Sequence, residues 1–209
     1  FRGALLVVEI ITMVLGFVYL GLIESHAVFA CYPLLVAALS GPVLGEQVGW
    51  RRWAAIGVGF VGVIIILQPS GGVFSPYAAI PLAAALMFAL YALLTRYVAR
   101  TDTAATSFFY TGLAGSVVAT AIGLWFWEPM SRGDWIWMAA LCGAGALGHY
   151  LMIRAYEVAE ASAVQPFAYL QLVFSSTIGL VVFGESLRAN VIIGAGMIVA
   201  AGLFTLWRQ

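Results

Sequence analysis

Apolar residues run along this chain in long unbroken stretches, not in stripes. Eight stretches come close to the 20 or so residues that an α-helix needs to cross the hydrocarbon core of a bilayer. They cover roughly residues 3–23, 27–45, 51–68, 77–95, 105–127, 135–154, 162–183 and 189–207. Turn formers and charges separate them: Gly45-Glu46 with Arg51-Arg52, Pro69-Ser70-Gly71-Gly72, Arg96 through Arg100-Thr101-Asp102, and Glu128-Pro129 with Arg132-Gly133-Asp134. In lipid only helices and closed barrels satisfy their own backbone. These runs are too long and too uniformly apolar for barrel strands, which alternate. The pattern predicts an all-α integral membrane protein with eight transmembrane helices.

Composition agrees. Of 209 residues, 64% are hydrophobic and 9% charged, and the mean hydropathy is +1.04. A water-facing shell needs far more polar residues than that, so the lipid bilayer is the expected surroundings. The nine basic residues, all arginine, balance nine acids, leaving no basic stripe for nucleic acid. Cys31 and Cys142 both fall in apolar runs and read as buried small hydrophobes, not a disulfide. No cofactor or metal is expected. No basic segment precedes a short apolar core at the start, so no signal peptide is expected.

Arginine placement predicts orientation. Numbering the connections alternately, one side holds Arg2, Arg51, Arg52, Arg96, Arg100, Arg154 and Arg208, and the other only Arg132 and Arg188. The richer side, with both chain ends, is predicted to be cytoplasmic. Trp50, Trp53, Trp125, Trp127, Trp135, Trp137 and Trp207 all fall at predicted span ends, where amphipathic rings prefer the interface.

The third and eighth spans share an approach. Gly45-Glu46 precedes a span carrying Gly57, and Gly184-Glu185 precedes one carrying Gly196, so a single offset of 139 residues relates both pairs. The copies lie five spans apart, an odd number, so the second is inverted. Inverted repeats are a hallmark of secondary transporters, with substrate held near the midplane between them. The division expected is 1–69, three helices left of a first repeat, and 77–207, a second repeat of five. Spans four and five then lack partners, and a complete 5+5 bundle would need two more helices before Phe1. We expect an N-terminally truncated ten-helix protein, whose incomplete first half a second copy could cover as a homodimer.

Three segments in the first part of the chain are Glu24-Ser-His-Ala-Val-Phe-Ala-Cys-Tyr-Pro33, Gly45-Glu46-Gln-Val-Gly-Trp-Arg-Arg-Trp53 and Gly59-Phe-Val-Gly-Val-Ile-Ile-Ile-Leu-Gln-Pro69. They resemble the first EamA domain of the drug/metabolite transporter superfamily. His149-Tyr-Leu-Met-Ile-Arg-Ala-Tyr-Glu157, Ala161-Ser-Ala-Val-Gln-Pro-Phe-Ala-Tyr-Leu-Gln-Leu172 and Phe183-Gly-Glu185 resemble the second. The likeness covers essentially the whole chain. It implies a ten-helix 5+5 inverted fold and movement of a small metabolite, and it departs from the family in lacking the first two helices.

Within the spans, Glu9 is the only acid placed well inside, about 9 Å past the cytoplasmic end of helix one at about 1.5 Å per residue. An intramembrane ionisable group marks a candidate functional site; snorkelling toward Arg2 is the plainer reading. His149 lies about 7 Å from the same side by the same rise, on the repeat partner of helix one. A carboxylate near an imidazole could hold or pass a proton. Tyr32-Pro33 sits mid-span, where proline frees a carbonyl and bends the helix. Tyr169 and Gln171 occupy the matching part of span seven, with Gln171 the offset partner of Tyr32. Tyr91, Tyr110 and Tyr150 are weaker candidates. Helix–helix bonding competes with substrate contact for all of these. Arg154, Glu157 and Glu160 read as a solvated loop, His26 as an interfacial surface residue, and Glu46 and Glu185 as structural or gating residues.

Two segments, Gly57 to Gly62 and Gly143 to Gly148, match a dinucleotide fingerprint. Neither follows a strand, and close helix packing by small residues accounts for both. No zinc-protease or nucleophile-elbow signature is present. The expected activity is alternating-access transport of a small metabolite, with export favoured and proton coupling through Glu9 and His149. The alternatives are uptake of a vitamin-like or cofactor-like molecule, or a membrane scaffold without transport.

Overall fold

The computed structural model describes residues 1–45, 49–67, 76–159 and 164–207. Their helices are α1 (Arg2–Leu20), α2 (Leu22–Phe29), α3 (Tyr32–Leu44), α4 (Trp50–Leu67), α5 (Ala79–Val98), α6 (Ala104–Gly123), α7 (Arg132–Val158), α8 (Tyr169–Val181) and α9 (Ala189–Trp207). Short 3₁₀ turns at Pro76–Ala78 and Gln165–Ala168 lead into α5 and α8. Counting α2 with α3 as one crossing, six helices are long and apolar enough to span a membrane, and α8 and α9 add two shorter apolar ones. The eight predicted crossings are all helical. Glu46, Glu160 and Arg208 lie outside the described residues, as does the Pro69-Ser70-Gly71-Gly72 turn.

Span two departs from expectation. It does not bend at Pro33 but breaks just before it, at Ala30–Cys31. The Cys31 N–H turns back to the Val28 carbonyl (3.1 Å), and Leu34 and Leu35 start a new helix on the Cys31 carbonyl (2.9 and 3.2 Å). Pro33 therefore stands in the first turn of α3, where its missing N–H costs least. Pro33 offers no N–H to the carbonyl four residues back, that of Phe29, and its ring crowds that carbonyl, which places the break ahead of the ring. A second break separates α1 from α2 at Gly21, whose φ of +82° is costly for any side-chain-bearing residue.

Helix α7 also exceeds its predicted span. A capping box opens it: the Ser131 hydroxyl accepts from the Asp134 N–H, and the Asp134 carboxylate accepts from the Ser131 N–H. Its 27 residues extend about 40 Å, past a hydrocarbon core of about 30 Å. Arg154 and Glu157 thus belong to a helix end, not a loop. They form an ion pair of 2.6 Å, and Glu157 also accepts from the first N–H of α6, at Ala104 (3.2 Å).

Helix α5 is the centre of the bundle, packed against α1, α2, α3 and α7. Its inner face carries Ala84, Ala85, Ala89 and Ala92, all wholly buried; small side chains let neighbouring backbones approach. The closest pairing joins α4 to α9. A methyl group at Gly62 would meet the Gly194 carbonyl, and one at Gly194 would meet that of Gly62. Gly59 lies against Ala201, and Gly62 against Ile198. The offset of 139 residues exchanges these last two contacts for one another. In the first glycine motif Gly59 and Gly62 thus pack as expected, while Gly57 has no neighbour within 4 Å among the described residues. The second motif does not pack in this way: Gly143, Gly145 and Gly148 have no neighbour within 4 Å among the described residues.

Arginines tie one end of the bundle together. Arg2 Nη2 donates to the Ser107 carbonyl (3.0 Å), to Ser107 Oγ (2.7 Å) and to Thr111 Oγ1 (2.7 Å), joining α1 to α6. Arg96 donates to the Tyr156 carbonyl (2.8 Å) and Arg100 to that of Leu44 (3.0 Å). At the opposite end lie Gly21, Glu24, Glu185 and Arg188.

Candidate functional site

Helix α1 turns Gly3, Leu6, Glu9, Met13 and Gly16 inward at spacings of three and four, the period of one helix face. Glu9 is the only charged residue among the buried described residues, 4% exposed. It forms no hydrogen bond or ion pair with Arg2, whose Nη2 is taken by Ser107 and Thr111 and whose Nη1 is buried without a partner among the described residues, so a contact with Arg2 is not what Glu9 makes. Its carboxylate lies within electrostatic range of Tyr32 and Tyr91.

From Tyr32 an aromatic cluster crosses the bundle. Tyr32 at the start of α3 meets Phe29 (ring centroids 5.1 Å apart) and stands edge-on to Phe88 of α5 (4.8 Å). Phe88 leads to Tyr91 (5.9 Å), and Tyr91 stands edge-on to His149 of α7 (5.9 Å, 83°). The break at Ala30–Cys31 is what places Phe29 and Tyr32 side by side. Tyr156 and Tyr169 lie within electrostatic range of Tyr32 and are buried. The Tyr169 hydroxyl and His149 Nδ1 are buried without a hydrogen-bond partner. A buried polar atom left unpaired costs free energy comparable to a lost hydrogen bond.

The structure therefore brings together Glu9, Tyr32, Pro33, Tyr91, His149 and Tyr169. No hydrogen bond or ion pair joins Glu9 to His149 among the described residues; Tyr91 is the neighbour they share. Gln171 does not join them and is exposed. It follows Tyr169 by two residues, about 200° around the helix, so the two cannot face one centre. Tyr150, next to His149, points elsewhere too, edge-on to Phe108 of α6 (5.5 Å). Tyr110 is largely exposed. His26 is half-buried, stacked on Phe17 (5.0 Å), with its Nδ1 2.9 Å from the Leu22 carbonyl, so it packs instead of lying on the surface.

Two members were missed. Phe88 is one turn before Tyr91 on the buried face of α5, and Tyr156 is two turns after His149 on α7, so helical spacing from the named residues would have found both. Glu185 caps α2: its two carboxylate oxygens accept from the Leu22 and Ile23 N–H groups (2.7 and 2.8 Å). This is a charge-assisted cap on the positive end of a helix. Among the described residues no cluster of three or more His, Cys, Asp or Glu could hold a metal ion.

A buried carboxylate and an aromatic cluster thus lie inside a multi-span helical bundle. Residues 76–207 match the EamA-like transporter family, and the chain belongs to that family, within the drug/metabolite transporter superfamily. It is 24% identical over 208 residues to the S-adenosylmethionine uptake transporter of Rickettsia prowazekii (strain Madrid E), covering 100% of this chain and 71% of that one. It is 34% identical over 188 residues to the riboflavin transporter of Vibrio cholerae serotype O1 (strain ATCC 39315 / El Tor Inaba N16961), covering 88% of this chain and 62% of the relative. A solved crystal structure superposes with a TM-score of 0.69 over 99% of this chain and 75% of the other, at 19% identity, which establishes the fold. The family and these relatives make this a multi-pass membrane protein of the small-metabolite transporter class.

Proposed function

We propose that this protein carries a small metabolite with a flat aromatic ring system inward across the bacterial inner membrane, by alternating access between residues 1–69 and 77–207. The ring of the solute stacks within Phe29, Tyr32, Phe88, Tyr91 and His149, and Glu9 holds a proton or a cationic group beside it. The observation that carries the reading is the buried Glu9 carboxylate, with no hydrogen bond among the described residues, within electrostatic range of Tyr32 and Tyr91. A bare intramembrane acid is costly, and its usual occupation is an ion or substrate pathway. Two relatives named as transporters of ring-bearing compounds, one of them for uptake, support inward movement over the export favoured by the sequence. In this reading the arginine-tied end is cytoplasmic and the Glu24–Arg188 end faces outward.

Uptake of riboflavin and of S-adenosylmethionine into membrane vesicles, with and without an imposed pH gradient, tests it. Accumulation of one compound is expected, reduced at least tenfold in Tyr32→Ala. Glu9→Gln is expected to retain binding while losing the response to the gradient. Full gradient-driven uptake in Glu9→Gln would refute proton coupling through this residue.

A further inference from the structure

A polar cavity lies at the end of the bundle away from Arg2 and Arg100. It has a volume of about 280 Å³ and is lined by Tyr19, Glu24, Val28, Ile66, Ala78 and Arg188 among others. Tyr19 is stacked on Tyr77 at its edge (4.7 Å, 4°). Glu24 and Arg188 meet across it through one nitrogen and one oxygen, Nη1 to Oε1 at 3.1 Å, and the Arg188 side chain is 55% exposed. A guanidinium presents five N–H donors in a fork that fits a carboxylate two bonds at a time. Glu24 uses it in single-point fashion.

Glu185, three residues before Arg188, behaves differently. Both of its oxygens are taken by the Leu22 and Ile23 N–H groups, so it fixes the start of α2. The Glu24 contact, in the same first turn of α2, is the exchangeable one. Helix α2 itself is a rod of eight residues between two breaks, Gly21 with φ +82° on one side and Ala30–Cys31 on the other. Beyond the Glu185 cap, the Glu24–Arg188 pair is the one ion pair tying α2 to the start of α9 among the described residues.

We propose that the Glu24–Arg188 pair is an entry site for solutes bearing a carboxylate. The solute carboxylate takes the place of Glu24 on Arg188, and α2, released on that side, swings about its two breaks with Glu185 as the pivot. The occupant is inferred from the present one: Arg188 already holds a carboxylate, with most of its fork unused. The proposal rests on the transport reading above but is tested without transport.

Cys31 is wholly buried at the inner break of α2, whereas Cys142 is exposed. In a Cys142→Ser background, the rate of Cys31 alkylation by N-ethylmaleimide reports how often α2 moves. In the purified protein in liposomes, sodium glutamate is expected to raise that rate relative to sodium chloride at equal ionic strength. Arg188→Gln is expected to label about threefold faster than the parent without glutamate, the size of effect that loss of a half-exposed pair produces, and to ignore glutamate. The exchanged pair Glu24→Arg with Arg188→Glu is expected to return labelling to the slow parental rate and to be accelerated again by glutamate, because a free carboxylate competes for the relocated guanidinium in the same way, which separates release of α2 from general unfolding. An Arg188→Gln protein that labels no faster than its parent, an exchanged pair that labels as fast as Arg188→Gln, or glutamate acceleration equal in parent and Arg188→Gln, would each overturn the proposal. Because alkylation needs no solute movement, a failure of vesicle uptake with the expected labelling pattern would refute the transport reading alone.

Discussion

The seam between α4 and α9 makes opposite demands on glycines only five residues apart. At Gly62 an added methyl carbon would stand 2.6 Å from the Gly194 carbonyl oxygen, 3.0 Å from Met197 Cβ and 3.2 Å from Ile198 Cγ1. Ordinary contact begins at 3.4 Å, so the two backbones would have to separate by about 0.8 Å. Overpacking of this kind costs about 1–3 kcal/mol. At Gly57 nothing lies within 4 Å, so Gly57→Ala collects only the gain in helix propensity, up to about 1 kcal/mol. That gain is common to both substitutions, which leaves Gly62→Ala about 1–3 kcal/mol the less stable. For a chain of this size the difference in midpoint is on the order of 5 °C. Gly194→Ala and Gly196→Ala repeat the comparison on α9, where a methyl at 194 meets the Gly62 carbonyl and the Ile66 side chain and one at 196 meets nothing within 4 Å. Thermal unfolding of the four variants in one detergent measures the ordering. Equal midpoints for Gly57→Ala and Gly62→Ala, or a Gly196→Ala loss as large as that of Gly194→Ala, would refute the close backbone seam.

Other substitutions test the interior and the caps. Tyr169→Phe removes a buried hydroxyl that has no partner and is expected to leave stability unchanged or raise it by up to about 1 kcal/mol; a loss of stability in the same melts would mean that the hydroxyl is bonded. Glu185→Ala takes away both acceptors at the start of α2 and is expected to cost about 1–3 kcal/mol, with Glu185→Gln intermediate because one amide oxygen still accepts. Asp134→Ala breaks the capping box of α7, and its expected cost of about 1 kcal/mol should appear as faster amide exchange confined to residues near 131–135.

Much of the fold was legible because hydropathy in a bilayer counts crossings directly, and the eight apolar runs became six helices long enough to span and two shorter apolar ones. Facing was harder to read. In a soluble helix the polar side marks the outside, but here lipid is as apolar as the interior, so the outward Val8, Val14 and Ile64 look like the inward Leu6, Met13 and Val63. What carried facing was spacing. Glu9 with Leu6 and Met13, or His149 with Ile153 and Tyr156, repeat at three or four residues and share a side. Matching Gln171 to Tyr32 by repeat offset ignored that rule, since Tyr169 and Gln171 stand on opposite sides of α8. Pro33 signalled an interruption in span two, but the sequence reading placed it one turn late, because a proline disturbs the residues before it more than itself. The Glu185 cap was out of reach for a different reason: it joins residues more than 160 positions apart, and no local pattern in either segment names the other.

The exchange of Gly59–Ala201 with Gly62–Ile198 has a consequence for how such a machine can move. If a transporter cycles by letting each half adopt the shape of the other, every contact between the halves must be rebuilt except those that the swap carries into one another. Contacts that merely trade places present the same surface at the start and at the end of the stroke. They add no term to the difference between the two states, and they can stay closed throughout. Two helices held with each glycine against the other's carbonyl would then serve as the fulcrum, and the stroke would be left to elements whose contacts have no mirror, the short helix α2 first among them.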